Sequence, residues 1–262
     1  MVRPKKYLGQ HFLTDPAIAR RIVDALDPGP GEVVLEVGPG TGVLTGILRE
    51  IDARLVPVEI DPESVQYLKN KWPELAEMLV EGDFLDLDLD AVSGGKLHVI
   101  GNFPYHISSQ IFFKILENRQ KVSSVVCMLQ KEVADRIASL PGTKTYGILS
   151  VLLQAYYEIS YLFSVKSGSF HPPPKVTSGV IRLSRNERME LPCDENLFFR
   201  VVKTTFNQRR KMIRNSIRPI LLNLDSDFEL LTKRPEQLDV QQFIELTRWV
   251  ATRQKEPAQG PS

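Results

Sequence analysis

The segment Gly101-Asn102-Phe103-Pro104-Tyr105 carries the residue types of this chain best suited to chemistry. An amine conjugated to a purine ring is a poor nucleophile, because its lone pair is delocalised into the ring. Two acceptors aimed at its protons, the Asn102 side-chain oxygen and the Phe103 backbone carbonyl, favour a more tetrahedral and more nucleophilic nitrogen. No ionised base is required for this. Pro104 fixes the local backbone, and the Tyr105 ring offers a face on which an extruded base can stack. The competing reading is a plain turn, with Asn and Pro at ordinary turn positions.

A second constellation lies upstream. The apolar run Val33–Val37 reads as a buried strand feeding the glycine turn Gly38-Pro39-Gly40-Thr41-Gly42, where a ligand can approach bare backbone. A dinucleotide fingerprint would need glycine at position 43, but Val43 stands there, and the pattern GxGxG points away from NAD and a pyrophosphate. Glu59 closes the next apolar strand, where a carboxylate can accept from both ribose hydroxyls of a nucleoside. Asp83 follows another short strand and could accept from an adenine amine, with Phe84 as apolar neighbour. Each acid alone could equally be a helix cap or an exposed strand end. Together with Gly38 and Gly40 they outline a nucleoside pocket, and a neutral loop among acids suits S-adenosylmethionine better than a phosphorylated cofactor.

The elements that must position these residues follow from periodicity and punctuation. Asp15-Pro16 caps and starts a helix over about 15–26, Pro28–Gly31 breaks it, and strand 33–37, helix 43–51 and strand 54–60 follow. A helix begins at Asp61-Pro62. Further strands are predicted at 78–81, 97–101 and 122–129, with helices near 108–117, 130–138 and 146–157. This alternation predicts an α/β doubly wound, Rossmann-like sheet, with 158–165 and 177–184 as a closing pair of strands. After Ser184 come charged helices, near 195–206, 209–222, 226–231 and 240–252. The expected organisation is a Rossmann-like domain over 1–184, a small all-α domain over 185–252 and a frayed tail over 253–262.

Composition narrows the class. A chain of 262 residues, 42% hydrophobic and 25% charged, is balanced like a soluble globular protein rather than a fibrous, disordered or membrane chain. No apolar run approaches the ~18 residues of a membrane span and the start lacks a signal-peptide core, so a cytoplasmic protein is expected. Cys127 and Cys193 make no disulfide framework, and the histidines, His11 among them, show no paired ligand spacing, so no metal is expected. The net charge of +1 hides an asymmetry: residues 24–95 hold sixteen acids against four basic residues, whereas 200–218 hold seven basic residues and no acid. Arg209, Arg210, Lys211 and Arg214 in the latter stretch suit a polyanion such as RNA, or else form a solvated helix face.

The loop Gly38–Gly42, the strand ends at Glu59 and Asp83 and the NxPY segment together resemble an amino-group methyltransferase acting on adenine N6. The stretches Lys6-Tyr7-Leu8-Gly9-Gln10-His11-Phe12-Leu13, Phe170-His171-Pro172-Pro173-Pro174-Lys175-Val176-Thr177-Ser178 and Phe206-Asn207-Gln208-Arg209-Arg210-Lys211 narrow it. They resemble the KsgA/RsmA family of small-subunit (16S) rRNA adenine dimethyltransferases, from about residue 5 to 250. The resemblance implies methyl transfer from S-adenosylmethionine, giving S-adenosylhomocysteine, to N6 of two adjacent adenosines near the 3′ end of small-subunit rRNA. It implies a pre-ribosomal 30S particle as partner, no membrane, and a monomer. By the same resemblance His11, Leu13, Gly38, Glu59, Asp83 and Asn102 contact the cofactor, and Phe170 lies beside the target base. The family often has asparagine where His11 stands. A related large-subunit rRNA methyltransferase shares the loop and NxPY; the triple proline 172–174 and the Gln208–Lys211 run favour the small-subunit enzyme. A non-catalytic relative that kept the fold could have lost the acceptors, which this chain retains.

Overall fold

The structure, a computed structural model, describes residues 2–188, 190–221 and 227–255. The chain divides into two compact units. One takes in the chain up to Asp135 together with Tyr157–Arg185, and the other takes in Arg136–Tyr156 together with the chain from Asn186.

The first unit contains β1 (Phe12–Leu13), α1 (Pro16–Asp24), β2 (Val33–Val37), α2 (Thr45–Leu48), β3 (Arg54–Glu59) and α3 (Pro62–Lys71). These are followed by β4 (Val80–Glu81), α4 (Leu89–Val92), β5 (Leu97–Asn102), α5 (Ser108–Glu117) and β6 (Val122–Gln130). Helix α6 (Lys131–Ile137) comes next, and α7 (Ile148–Gln154) lies in the second unit. The first unit is completed by β7 (Tyr157–Val165), β8 (Phe170–His171) and β9 (Ser178–Arg185). The punctuation read from the sequence has a structural counterpart at both Asp-Pro starts. Asp15 accepts from the Ala17 and Ile18 N–H groups at 2.9 and 3.2 Å, and Asp61 accepts from the Glu63 N–H at 3.1 Å, each with proline at the first helical position.

Among the described residues the main sheet has seven strands in the order β4-β3-β2-β5-β6-β9-β7. Strands β2 to β6 run parallel, and β9 is antiparallel to both β6 and β7. Every residue of β2 is buried, as a strand covered on both faces requires. The register sets Val37 opposite both Val58 and Gly101, so the glycine turn, Glu59 and Asn102 emerge side by side at the carboxyl edge. That edge is where open parallel sheets bind ligands. No periodicity or punctuation in the chain signals the separate two-stranded sheet, in which β1 pairs with β8 and sets Phe12 opposite His171 and Leu13 opposite Phe170.

The second unit also holds α8 (Glu195–Asn207), α9 (Ile213–Ser216) and α10 (Val240–Lys255). Here the expected organisation needs correction: the chain enters this unit twice, because the segment around α7 packs with α8 and α10. Tyr146 lies 6.3 Å from Phe206, which stacks on Phe243 at 5.9 Å, so the segment shares that aromatic core. The helix expected over 209–222 is a four-residue turn of helix, α9. Three consecutive cations precede it, and Arg218 stands before Pro219, which disfavours the helical conformation at the preceding residue. The stretch expected as helix 226–231 forms a 3-10 turn at Glu229–Thr232. Residues 222 and 226 of those two segments, and the tail from 256 to 262, lie outside the described residues. Among the described residues no helix is long and apolar enough to cross a membrane.

Candidate active site

A cavity opens at the carboxyl ends of β2, β3, β4 and β5, and Gly38, Gly40, Glu59, Asp83, Asn102 and Tyr105 all line it. Gly38 and Gly40 adopt positive φ, +66° and +56°, which favours glycine at both. A Cβ on Gly40 would also come within 2.7 Å of the Phe12 ring. The Gly38 N–H donates to the Val58 carbonyl at 2.9 Å, tying the turn to β3.

Glu59 is buried with both carboxylate oxygens already engaged. Oε2 accepts from the Gly40 N–H at 2.8 Å and Oε1 from the Asp61 N–H at 2.9 Å. Burial pushes this carboxyl above its ordinary value, and the backbone donors pull the other way. Each oxygen keeps a further lone pair, so two hydroxyl donors can be added without displacing the backbone ones. Behind it, Glu36 on β2 accepts from the Thr45 hydroxyl at 2.7 Å, and burial pushes its carboxyl up to about 8, with the Glu59 charge adding to the effect. Sequence reasoning does not pick out Glu36 as a site residue; the available signal is a single acid inside a wholly apolar strand. Asp83 lines the cavity while its Oδ1 accepts from the Leu85 N–H at 2.8 Å, so the turn and pocket readings hold together.

Asn102 is oriented by a residue far away in sequence. Its Nδ2 donates to the His11 carbonyl at 2.8 Å. Because a carbonyl can only accept, the amide nitrogen must face His11 and Oδ1 is turned away from it as an acceptor. His11 is itself held by its Nδ1, which sits 2.8 Å from the Pro172 carbonyl and therefore carries a proton. The His11 ring stacks on Tyr105 at 5.7 Å between centroids. The Tyr105 hydroxyl lies 2.6 Å from Ser178 Oγ, and burial pushes it above its ordinary value, so the ring stays neutral. Phe103 lines the cavity, but its ring is almost fully buried edge-on to Phe112 and its N–H donates to the Met128 carbonyl. Its own carbonyl is the group left for chemistry. Pro104 lines the cavity between them.

Two expected site residues are placed elsewhere. Leu13 and Phe170 do not line the cavity; both are buried, paired across β1 and β8, in the core cluster that includes Ile22, Val126 and Val180. Their apolar side chains hold the N-terminal segment against the 170–178 loop. The segment before β1 lines the cavity through Leu8, Gly9, Gln10 and His11, and Asp61 pins it. Lys5 Nζ pairs with Asp61, Gln10 Nε2 donates to Asp61 Oδ2 at 3.1 Å, and Lys5 N donates to Gln10 Oε1 at 2.8 Å. Burial pushes the Asp61 carboxyl up, but the bonds from Lys5, Gln10, the Glu63 N–H and Ser64 hold it below its ordinary value.

The basic run belongs to the second unit. Arg210, Lys211 and Arg214 are exposed, whereas Arg209 is half-buried, with Nη2 donating to the Thr143 carbonyl at 3.2 Å and Nε 3.9 Å from Glu236. Arg209 therefore serves its own unit's structure. As for a cofactor, neither lysine nor arginine lines the cavity, while Glu59 and Asp83 do. That set fits a sulfonium nucleoside and gives no cradle for a phosphate.

Residues 1–252 match the family described as ribosomal RNA adenine dimethylase. A ribosomal RNA small subunit methyltransferase A of Parabacteroides distasonis is 55% identical over 249 residues, 94% of this chain and 94% of its own. One of Bacteroides thetaiotaomicron is 56% identical over 254 residues, 95% of each. Among solved structures, a dimethyladenosine transferase from Plasmodium falciparum has the same fold, with TM-score 0.80 at 24% identity over 93% of this chain and 98% of that one. A 23S rRNA methyltransferase, ErmE, gives TM-score 0.67 at 25% identity over 90% of this chain and 99% of that one.

Proposed function

The chain belongs to the ribosomal RNA adenine dimethylase family, and on that footing we propose that it dimethylates N6 of two adjacent adenosines near the 3′ end of small-subunit rRNA. S-adenosylmethionine, when bound, supplies an electrophilic methyl group on a sulfonium and leaves as S-adenosylhomocysteine. Glu59 accepts from the ribose hydroxyls and Asp83 from the adenine amine, each held by backbone N–H donors that fix the carboxylate in place. Asn102 Oδ1 and the Phe103 carbonyl accept from the target amine and localise its lone pair, while Tyr105 supports the extruded base. The observation that carries the reading is the Asn102 amide, fixed by the His11 carbonyl so that its oxygen is the free acceptor. Leu13 contacts the cofactor and Phe170 lies beside the target base, both carried on the paired strands β1 and β8. Arg210, Lys211 and Arg214 engage RNA phosphates, with Arg209 bracing their loop. The partner is a pre-ribosomal 30S particle in the cytoplasm, and the protein acts as a monomer.

The test is transfer of labelled methyl to small-subunit particles that lack the modification, followed by mapping of the labelled nucleotides. Dimethylation of two adjacent adenosines near the 3′ end is expected. Label confined to large-subunit rRNA, or no transfer, would overturn the proposal. The fold common to ErmE makes the large-subunit control necessary.

A further inference from the structure

Tyr7 is 75% exposed, and it is the aromatic member of the large apolar side chains left open to solvent among the described residues. An exposed tyrosine on a loose N-terminus needs no explanation. The backbone under this one is tied down. It sits in the 3-10 turn Lys6–Leu8, closed by Gly9 at φ +63°, where a Cβ would come within 2.8 Å of His106 Nδ1. The flanking backbone is tied down by the Arg3 N–H to Glu63 at 3.0 Å, the Lys5 N–H to Gln10 and the Lys5 and Gln10 side chains to Asp61. The backbone that carries the ring is thus tied down beside the cavity lined by Leu8 and Gly9.

Lys5 is committed to Asp61 and lies 3.9 Å from the exposed Glu63, whereas Arg3 and Lys6 are exposed on either side of it and bring two cations to this stretch. An exposed aromatic face with cations next to it, beside a cavity that can take a base, is how sequence-tolerant single-stranded nucleic-acid sites are built. When the target adenosine is extruded against Tyr105, the next nucleotide of the strand is left unstacked at the mouth. We propose that Tyr7 is the stacking platform for the base of that adjacent nucleotide, a positioning residue whose role rests on the RNA-methylating function above. Lys6 supplies the cation for the phosphate between the two nucleotides.

The experiment compares wild type, Tyr7→Ala, Tyr7→Phe and Lys6→Ala on unmodified small-subunit particles, with single-turnover half-saturation by RNA and calorimetric S-adenosylmethionine affinity as readouts. Tyr7→Ala should raise the half-saturating particle concentration by about 5- to 150-fold, the range expected for removal of one base stack. It should leave cofactor affinity and the salt dependence of RNA binding at the wild-type values. Tyr7→Phe should restore half-saturation, since a ring suffices, and Lys6→Ala should flatten the salt dependence instead. Unchanged half-saturation in Tyr7→Ala, a loss that phenylalanine does not restore, or a matching loss of cofactor affinity would each overturn the inference. The last of these would mean that Tyr7 supports the fold of the N-terminal segment. Failure of wild type to transfer methyl to these particles would instead strike the parent reading, so the two failures are separable.

Discussion

Replacing Glu59 with glutamine probes the cofactor reading most directly, because it preserves shape while changing one acceptor oxygen into a donor. In the native site Oε2 faces the Gly40 N–H and Oε1 the Asp61 N–H, at 2.8 and 2.9 Å. The amide nitrogen must meet one of those donors head-on, and the remaining neutral oxygen makes weaker bonds to the other N–H and to the ribose. A charge-assisted hydrogen bond is typically worth ~1.5–3 kcal/mol, so losing one predicts that cofactor affinity falls roughly 10- to 150-fold. Stability should change far less. The orphaned N–H costs the folded state, but neutralising Glu59 removes its repulsion with Asp61 and a buried charge, both of which oppose the native site. The assay is calorimetric titration of wild type and Glu59→Gln with S-adenosylhomocysteine and its 2′-deoxy analogue, closed as a thermodynamic cycle. If Glu59 binds the ribose, removing the 2′-hydroxyl should cost wild type much more than the mutant, with a coupling of at least about 1 kcal/mol, above the ~0.3–0.5 kcal/mol within which independent groups add. Additive effects would remove Glu59 from the ribose.

Asn102→Ala should lower single-turnover methylation by ~10²–10³-fold, the usual cost of one preorganised electrostatic group, with RNA still bound. A mutant turning over near the wild-type rate would defeat the acceptor role. Changing Arg210 and Lys211 to alanine should weaken RNA binding and flatten its log–log salt slope by ~0.7–0.9 for each phosphate no longer neutralised. An unaltered slope in a folded double mutant would assign the run to solubility. Glu36 gives a pH prediction: its folded-state value, pushed up by burial to about 8, lies above the ~4.3 of an unfolded glutamate, so the folded protein holds the extra proton between them. Its contribution is therefore complete below about pH 4 and is lost as pH rises toward about 8. Thermal unfolding at about pH 5.5 and about pH 8.5, on either side of that folded-state value, should show the loss in wild type and a flatter response in Glu36→Gln. Equal slopes would exclude Glu36 as the source.

The parts of this molecule that are legible in its sequence are those whose causes are local. Asp15-Pro16 and Asp61-Pro62 announce helix starts because capping and proline chemistry act within one turn, and Val33–Val37 announces a buried strand by its apolar run. Glu59, Asp83 and Asn102 can be picked out because each closes a strand, and the parallel register then brings strand ends together whatever lies between them. The two-residue strands β1 and β8 are invisible, since their pairing links Phe12 to His171 across most of the chain and neither run has a period of its own. The same gap explains Leu13 and Phe170. Motif likeness points to contacts with cofactor and base, whereas their pairing with each other across β1 and β8 is disclosed only by the fold. The basic run misleads in the opposite sense: helical spacing continues through 209–222, while charge repulsion and Pro219 confine helix to Ile213–Ser216.

The acceptor Asn102 and the carboxylate end of the cavity are both tied to one segment, residues 3–13, whose motif likeness marks it as functional without showing that it does this. Its charge explains why. Glu59, Asp61 and Glu63 stand close together at the end of β3, and a cavity that is to take a sulfonium, as proposed, cannot be neutralised by lysines pointing into it. Lys5 answers Asp61 from outside the cavity, which leaves Glu59 as the uncompensated carboxylate facing inward. The ion pair that balances the charge also anchors the backbone that continues to His11, whose carbonyl orients Asn102. Electrostatic balance at Glu59 and acceptor geometry at Asn102 thus depend on the same short stretch of chain. A substitution at Lys5 or Gln10 should therefore disturb both, although neither residue touches the reacting atoms.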